Sequence, residues 1–314
     1  MKRLTANPYG AGLLTALCLV LPLYAPAAFF PLLGIAGLPV FLAGLQGDAK
    51  SALIALGLGV TAQTLVTSDV QALGLTLVLI GVAPVVGAWL MRRGWRFFHL
   101  ASGCYLLALA ALLLMVVFAP LFGAEIESAV RQALQTQEAS ILQTLENSKG
   151  VAATDLANVQ AELRAFFDII ARFFPLIVVQ GWLLIQLVTM GLGALLMKRW
   201  EPQFPLEFSA FRAFAMPFNW VWPAIVLGLA AAFLPGDSFI GAAALNLVFF
   251  WILPYLAQGV AIAEALFAKR QVGGWVRGVF YAALIWWVEF NIAITMVGVF
   301  DSWFHFRERF KDDD

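Results

Sequence analysis

The chain has 314 residues, 62% hydrophobic and 12% charged, with a formal net charge of zero. Soluble domains carry about 25% charged residues, so half that share excludes a solvated surface over most of the molecule. The neutral balance gives no electrostatic ground for a nucleic-acid or acidic partner.

A membrane-crossing helix needs about 20 apolar residues, and in chain order the sequence offers about nine such segments. Met1-Lys2-Arg3 ahead of an apolar stretch has the outline of a signal peptide. Pro22, Pro26 and Pro31 lead into more apolar sequence without a small-residue cleavage site, so the stretch reads as a retained first span. Residues 10–46 suffice for two spans, divided at Tyr24-Ala25-Pro26 into 10–24 and 28–46. Asp48 and Lys50 mark a loop. A third span covers 51–66 and ends at Thr67-Ser68-Asp69. A fourth covers 72–91 and stops at Arg92-Arg93, and a fifth covers 98–119.

Residues 123–168 break the pattern. Seven acids (Glu125, Glu127, Glu138, Glu146, Asp155, Glu162 and Asp168) stand against three bases (Arg131, Lys149 and Arg164), which removes the stretch from hydrocarbon. Apolar residues recur at 126, 130, 134, 141 and 145, then at 156, 159, 163, 166 and 170, both at helical spacing. Asn147-Ser148-Lys149-Gly150 reads as the turn between them. The expectation is an extracytoplasmic amphipathic helical hairpin whose second helix runs into a sixth span, 169–197.

After Lys198-Arg199, a connector over 200–216 mixes Pro202, Pro205 and Arg212 with Phe204, Phe208, Phe211 and Phe214, as suits an interfacial segment. The seventh span is 217–234, with a turn at Leu234-Pro235-Gly236-Asp237. The eighth is 239–267 and contains Pro254; the ninth is 276–300, after a loop from Lys269-Arg270 to Gly273-Gly274. The fold class is all-α: a polytopic transmembrane helical bundle in three consecutive blocks. Residues 1–122 hold five spans, 123–168 the hairpin, and 169–314 four spans and a short tail.

Basic residues gather on the cytoplasmic side of membrane proteins. These division points bring Lys2/Arg3, Arg92/Arg93/Arg96, Lys198/Arg199/Arg212 and Lys269/Arg270/Arg277 to one side. The N-terminus is then cytoplasmic and the hairpin periplasmic, in a bacterial inner membrane. The tail, with Arg307, Arg309 and Lys311, comes out on the far side, against the same rule.

An ionisable group inside a span is a functional candidate by default. Glu289, in Ile285-Trp286-Trp287-Val288-Glu289-Phe290-Asn291, is the clearest case. It reads either as a relay or substrate-contacting carboxylate or as an interhelical hydrogen bond. Trp251, Tyr255, Gln258 and Ile262 share one helix face, and Gly259 beside them permits close approach. Pro254 frees a backbone carbonyl. Asn246 lies off this stripe, and Gln180 and Gln186 in the sixth span point to different faces. Glu289, Asn291, Gln258, Tyr255, Trp251 and Gln186 form a candidate polar pocket; each amide alone reads equally as glue between helices. Trp95, Trp200, Trp220, Trp275 and Trp303 sit near span boundaries as belt residues. Trp286 and Trp287 lie deeper and are expected to line a pocket.

Cys18 and Cys104 lie in apolar runs and read as small buried hydrophobes. His99 and His305 are far apart, and no His/Cys cluster has metal-ligand spacing. Walker, GxSxG, HExxH and CxxC motifs are missing. No metal, cofactor or catalytic residue is assigned. The lipid bilayer is the expected partner, with a small molecule, a membrane protein or a second copy as further candidates.

Two stretches carry a family resemblance. Tyr255-Leu256-Ala257-Gln258-Gly259-Val260-Ala261 resembles the Y-x-x-Q-G-x-A signature of the YybS-like membrane proteins, domain of unknown function 2232. Gly298-Val299-Phe300-Asp301-Ser302-Trp303-Phe304-His305-Phe306-Arg307 resembles that family's closing G-x-x-D-x-W-x-x-F-R. Together they cover the last sixth of the chain. Gly37-Leu38-Pro39-Val40 and the Gly/Ala-rich span after it look like the substrate-binding subunits of energy-coupling-factor vitamin transporters. The resemblance implies a bacterial inner-membrane protein of unassigned activity in which Gly259, Asp301, Trp303 and Arg307 matter, and an Asp301–Arg307 pair that pins the tail.

Three functions follow as hypotheses. The first is a small-molecule binding and transport subunit, with Ala11, Gly12 and Ala16 either as a smooth docking face for an energy-supplying partner or as lipid-embedded small residues in a tightly packed helix. The second is a non-transporting scaffold or assembly factor acting through the hairpin. The third, an enzyme, rests on Glu289.

Overall fold

The computed structural model describes residues 2–25, 29–69, 73–74, 76–147, 153–204, 209–235 and 238–309, which are helices and connections with no strand among them. The first helices are α1 Lys2–Ala6, α2 Pro8–Tyr24, α3 Phe29–Ile35, α4 Leu38–Gln46 and α5 Ala49–Thr67. A π-helical turn, Leu77–Gly81, runs into α6 Val82–Arg92. Then come α7 Phe97–Asn147, α8 Ala153–Arg172, α9 Phe174–Trp200 and α10 Ser209–Arg212. A 3-10 turn, Phe218–Trp220, opens α11 Val221–Phe233. The last are α12 Phe239–Trp251, α13 Leu253–Lys269, α14 Gly274–Trp286, α15 Val288–Phe304 and α16 Phe306–Arg309.

Four stretches are long and apolar enough to cross a bilayer: Ala49–Thr67, Phe97–Val116, Phe174–Trp200 and Phe239–Lys269. α14 and α15 reach that length only together, and they are bent by 105° where they meet. Pro8–Tyr24, Leu32–Gln46, Val82–Arg92 and Phe218–Phe233 are apolar but only 10–17 residues long. Among the described residues this gives four crossings, or five with the bent pair. Each of the nine expected segments contains apolar helix, but a count of nine crossings does not follow. Local breaks explain part of the difference. Ala36-Gly37 interrupts the expected second span, with Pro39 in the first turn of α4. Pro254 sits in the first turn of α13, where its missing N–H is harmless.

The chain forms two compact units that are not consecutive blocks, unlike the division expected at 122 and 168. The first comprises Met1–Ala108 and Gln180–Phe211. Its centre is α4, in which Leu38 to Leu45 are all buried. Glycines let neighbours close on it: Gly44 meets Ala88 and Ala52, and Gly193 of α9 meets Phe41. α2 packs on α5, with Gly12 against Ala55 and Leu58, and Gly59 against Thr15. Ala11 and Gly12 are therefore buried inside the unit. The small-residue face expected to dock a partner is already covered by α5. Asp48 caps α5 by accepting from the backbone N and hydroxyl of Ser51. Those bonds hold its carboxyl below the usual range.

The second unit comprises Leu109–Val179 and Arg212–Asp314. α7 is one unbroken helix of 51 residues, so the apolar Phe97–Val116 stretch continues directly into the hairpin. At about 1.5 Å per residue the part beyond Val116 projects roughly 46 Å. α8 lies against it through Arg131–Asp168 and Arg164–Glu138, both at 3.0 Å. The hairpin turn expected at 147–150 falls largely outside the described residues. Val130, Leu134, Glu138 and Leu142 of α7 are half-buried, as are Val159, Leu163, Phe167 and Ile170 of α8. Ile141 and Phe166, expected in the stripe, are exposed. The two ion pairs set a register in which the next residue of each pair turns inward. A cavity of about 190 Å³ between the helices is lined by Leu134, Phe167 and the four paired charges, among others.

The α8–α9 junction is closed by one side chain. Pro175 has no N–H to donate to the preceding turn. Asn246 of α12 repairs the gap: its Nδ2 donates to Arg172 O at 3.1 Å and its Oδ1 accepts from Leu176 N at 3.2 Å. Asn246→Leu removes both partners at a buried site and should destabilise the protein by about 1–3 kcal/mol. A thermal unfolding midpoint in detergent measures it; an unchanged midpoint would show the junction is held by packing alone.

Candidate functional site

α13 and α15 run antiparallel in contact. Phe280 of α14 stands edge-on to both Phe267 and Phe290, at 5.1 and 5.5 Å, so the end of α13 lies near the start of α15. The helices cross where each has a glycine. A Cβ on Gly259 would strike Ile294 O, and a Cβ on Gly298 would strike Tyr255 O. The backbones touch there, as small residues permit between membrane helices.

This approach brings Gln258 and Asp301 together. Gln258 is 1% exposed and Asp301 4%. Gln258 Nε2 donates to Asp301 Oδ2 at 2.9 Å. α15 ends at His305, which is left-handed at φ 47° and turns the chain back. The turn lets Phe306 N donate to Asp301 Oδ1 and Arg307 Nη2 to Asp301 Oδ2, both at 2.8 Å. The Asp301–Arg307 pair is thus present, and it does more than hold the tail. Arg307 Nη1 also donates to Phe214 O at 2.8 Å and Arg212 O at 3.2 Å. Gln258 Oε1 accepts from Met216 N at 2.8 Å. Residues 214–217 have no regular structure. Their backbone groups are met by side chains of both sequence motifs.

Arg307 binds the backbone just ahead of α11, so the tail and the connector lie side by side.

The other expected pocket residues are dispersed. Tyr255 is fully buried, one turn from Gln258, and its hydroxyl has no hydrogen-bond partner among the described residues. Trp251 donates its ring N–H to Trp220 O at 2.8 Å and stacks on Trp220 at 4.8 Å. Trp303 stands edge-on to Phe218 at 6.1 Å. Asn291 Nδ2 donates to Leu284 O at 3.3 Å and bridges the bend. Gln186 is buried in the first unit. Glu289 is exposed in the first turn of α15, directly after the bend. Trp286 and Trp287 are exposed there.

A second acidic centre escaped the sequence reading. Glu264 of α13 is buried; its Oε1 accepts from Tyr281 Oη at 2.9 Å and its Oε2 from Arg277 Nη1 at 3.2 Å. Arg212 Nε is 4.0 Å from Oε2. The signal was available, since Glu264 is an acid inside the apolar run 239–267, the criterion that singled out Glu289. Arg212 joins the two centres, with its carbonyl on Arg307 and its guanidinium near Glu264. Among the described residues no group of three His, Cys, Asp or Glu could hold a metal.

No curated protein and no solved structure matches this chain. Both sequence motifs fall within or beside a known family's reach. The family model described as Predicted membrane protein (DUF2232) matches residues 13–302, and the chain belongs to that family.

Proposed function

We propose that this chain is a small-molecule binding and transport component of a bacterial inner membrane. The irregular 214–217 segment carries the reading, because the buried Gln258 of the long Phe239–Lys269 stretch and the half-buried Arg307 hold it. Non-helical backbone is tolerated at membrane depth where protein or a cavity satisfies it, and transporter sites use such segments. Buried ionisable residues in spans mark substrate or ion paths. Gly37-Leu38-Pro39-Val40, which carries the likeness to energy-coupling-factor substrate subunits, opens the central helix of the first unit. An energy-supplying partner would dock away from Ala11 and Gly12. The basic clusters around Arg92, Lys198 and Lys269 face the cytoplasm on this reading, and the acidic hairpin faces the periplasm.

The scaffold reading keeps one observation in its favour: α7 holds the hairpin out on a continuous helix. One comparison separates the two. Native mass spectrometry of the purified full chain and of a variant lacking residues 124–166 should find the same small-molecule adduct on both. No adduct on either, together with loss of cellular function in the deletion alone, would replace transport with scaffolding.

A further inference from the structure

The linked centres do not balance in charge. Asp301 and Glu264 bring two negative charges, and Arg212, Arg277 and Arg307 bring three positive ones. Arg307 is matched: it pairs with Asp301 at 2.8 Å and fills its remaining reach with two carbonyls. The surplus therefore lies on Arg212 and Arg277, which share the single carboxylate of Glu264. Arg277 uses Nη1 on Glu264 and Nε on Val272 O, and its Nη2 has no bond among the described residues. Arg212 makes one loose contact, through Nε at 4.0 Å, and both its Nη groups are unbonded among the described residues. Their side chains are 38% and 28% exposed, so the surplus charge is reachable from outside.

We propose that Arg212 and Arg277 form an anion site for a singly charged phosphate group, with Glu264 holding the two guanidiniums in place. Two guanidiniums over one carboxylate leave room for one more anion. Arginine forks suit phosphate oxygens, and a phosphodiester carries the one negative charge that completes the balance. The surroundings favour a lipid headgroup as its source. Trp275, 84% exposed, opens α14 after the Lys269-Arg270 loop. Exposed tryptophan beside basic residues is the pattern of the headgroup layer, and basic pockets between membrane helices hold anionic headgroups. The site goes beyond the proposed transport reading, because it stands even if the chain moves nothing.

The full chain in lipid nanodiscs tests it. In phosphatidylcholine with phosphatidylglycerol the unfolding midpoint should exceed that in phosphatidylcholine alone, and phosphatidylglycerol adducts should survive in native mass spectra. Arg212→Gln should weaken that binding about tenfold. It leaves the Arg307 latch intact, because Arg307 bonds the backbone of Arg212 and not its side chain. Glu264→Gln removes the competing carboxylate and should tighten binding, which a merely structural glutamate would not do. Inorganic phosphate titrated into phosphatidylcholine discs is the other arm: a midpoint rise there without a phosphatidylglycerol effect assigns the site to a soluble phosphate. No effect of either anion, or equal binding by wild type and Arg212→Gln, overturns the proposal.

Discussion

Arg307→Leu should lower stability by about 3–5 kcal/mol, the range for stripping one partner from a buried ion pair. Asp301 is then left at 4% exposure without its cation, with Gln258 Nε2 and Phe306 N as its remaining donors. Those two bonds hold the effect toward the lower end. Phe214 O and Arg212 O lose their donor at the same time, so the connector loosens with the tail. Asp301→Leu strips the guanidinium instead and should cost a similar amount. The double variant should be less damaging than the sum of the two, since no buried charge is left unmatched. Arg307→Lys should fall between: an ammonium is a point charge, while the fork reaches a carboxylate and two carbonyls together. Unfolding midpoints in one detergent, taken across the four variants, give the coupling directly. Strict additivity would mean that Asp301 and Arg307 do not act on one another.

The parts of this site legible in the sequence were those carried by short local patterns. Gln258 and Gly259 lie on one helix face with Tyr255, and Asp301 and Arg307 sit six residues apart around a helix end. The first set is readable from spacing, and the second is what the family resemblance implied. Glu264 was legible only as an acid in an apolar run, because its partners come from elsewhere: Arg277 and Tyr281 from α14, Arg212 from the connector. Nothing in the run around Glu264 announces them. The bend beside Glu289 was missed for a different reason. The expected span over 276–300 is straight, and the break after Trp286 has no proline or glycine to mark it. Its signature is tertiary, in that Phe280 packs between Phe267 and Phe290 and holds α14 across the end of the helix pair.

The hairpin shows the same limit on a smaller scale. Its charge content alone sets it apart from the spans, and the structure has two helices there. The inward stripe still shifts by one residue at Ile141 and Phe166, because Arg131–Asp168 and Arg164–Glu138 decide the register, and apolar spacing tolerates either neighbour. Nine apolar segments do not make nine crossings for a related cause. Hydropathy finds apolar segments, but helices such as α6 and α11 are apolar without being long enough to cross.

Gly298→Ala should be among the most damaging single-methyl changes in the chain. The added carbon would collide with Tyr255 O, and a backbone carbonyl cannot swing aside as a side chain can. α13 and α15 must separate instead. Overpacking of this kind costs about 1–3 kcal/mol. Separation also stretches the 2.9 Å bond between Gln258 and Asp301, adding about 1–3 kcal/mol for a buried polar group left short of a partner. Gly259→Ala meets Ile294 O across the same contact and should behave alike. Gly278→Ala is the control: on α14 its new carbon meets nothing within 4 Å. Alanine there should be neutral or stabilise by about 0.5–1 kcal/mol through helix propensity. The Gly298 variant should also release the tail, so proteolysis after Phe304 should quicken in step with the drop in midpoint. Equal midpoints for Gly298→Ala and Gly278→Ala would falsify the close crossing on which the Gln258–Asp301–Arg307 cluster depends.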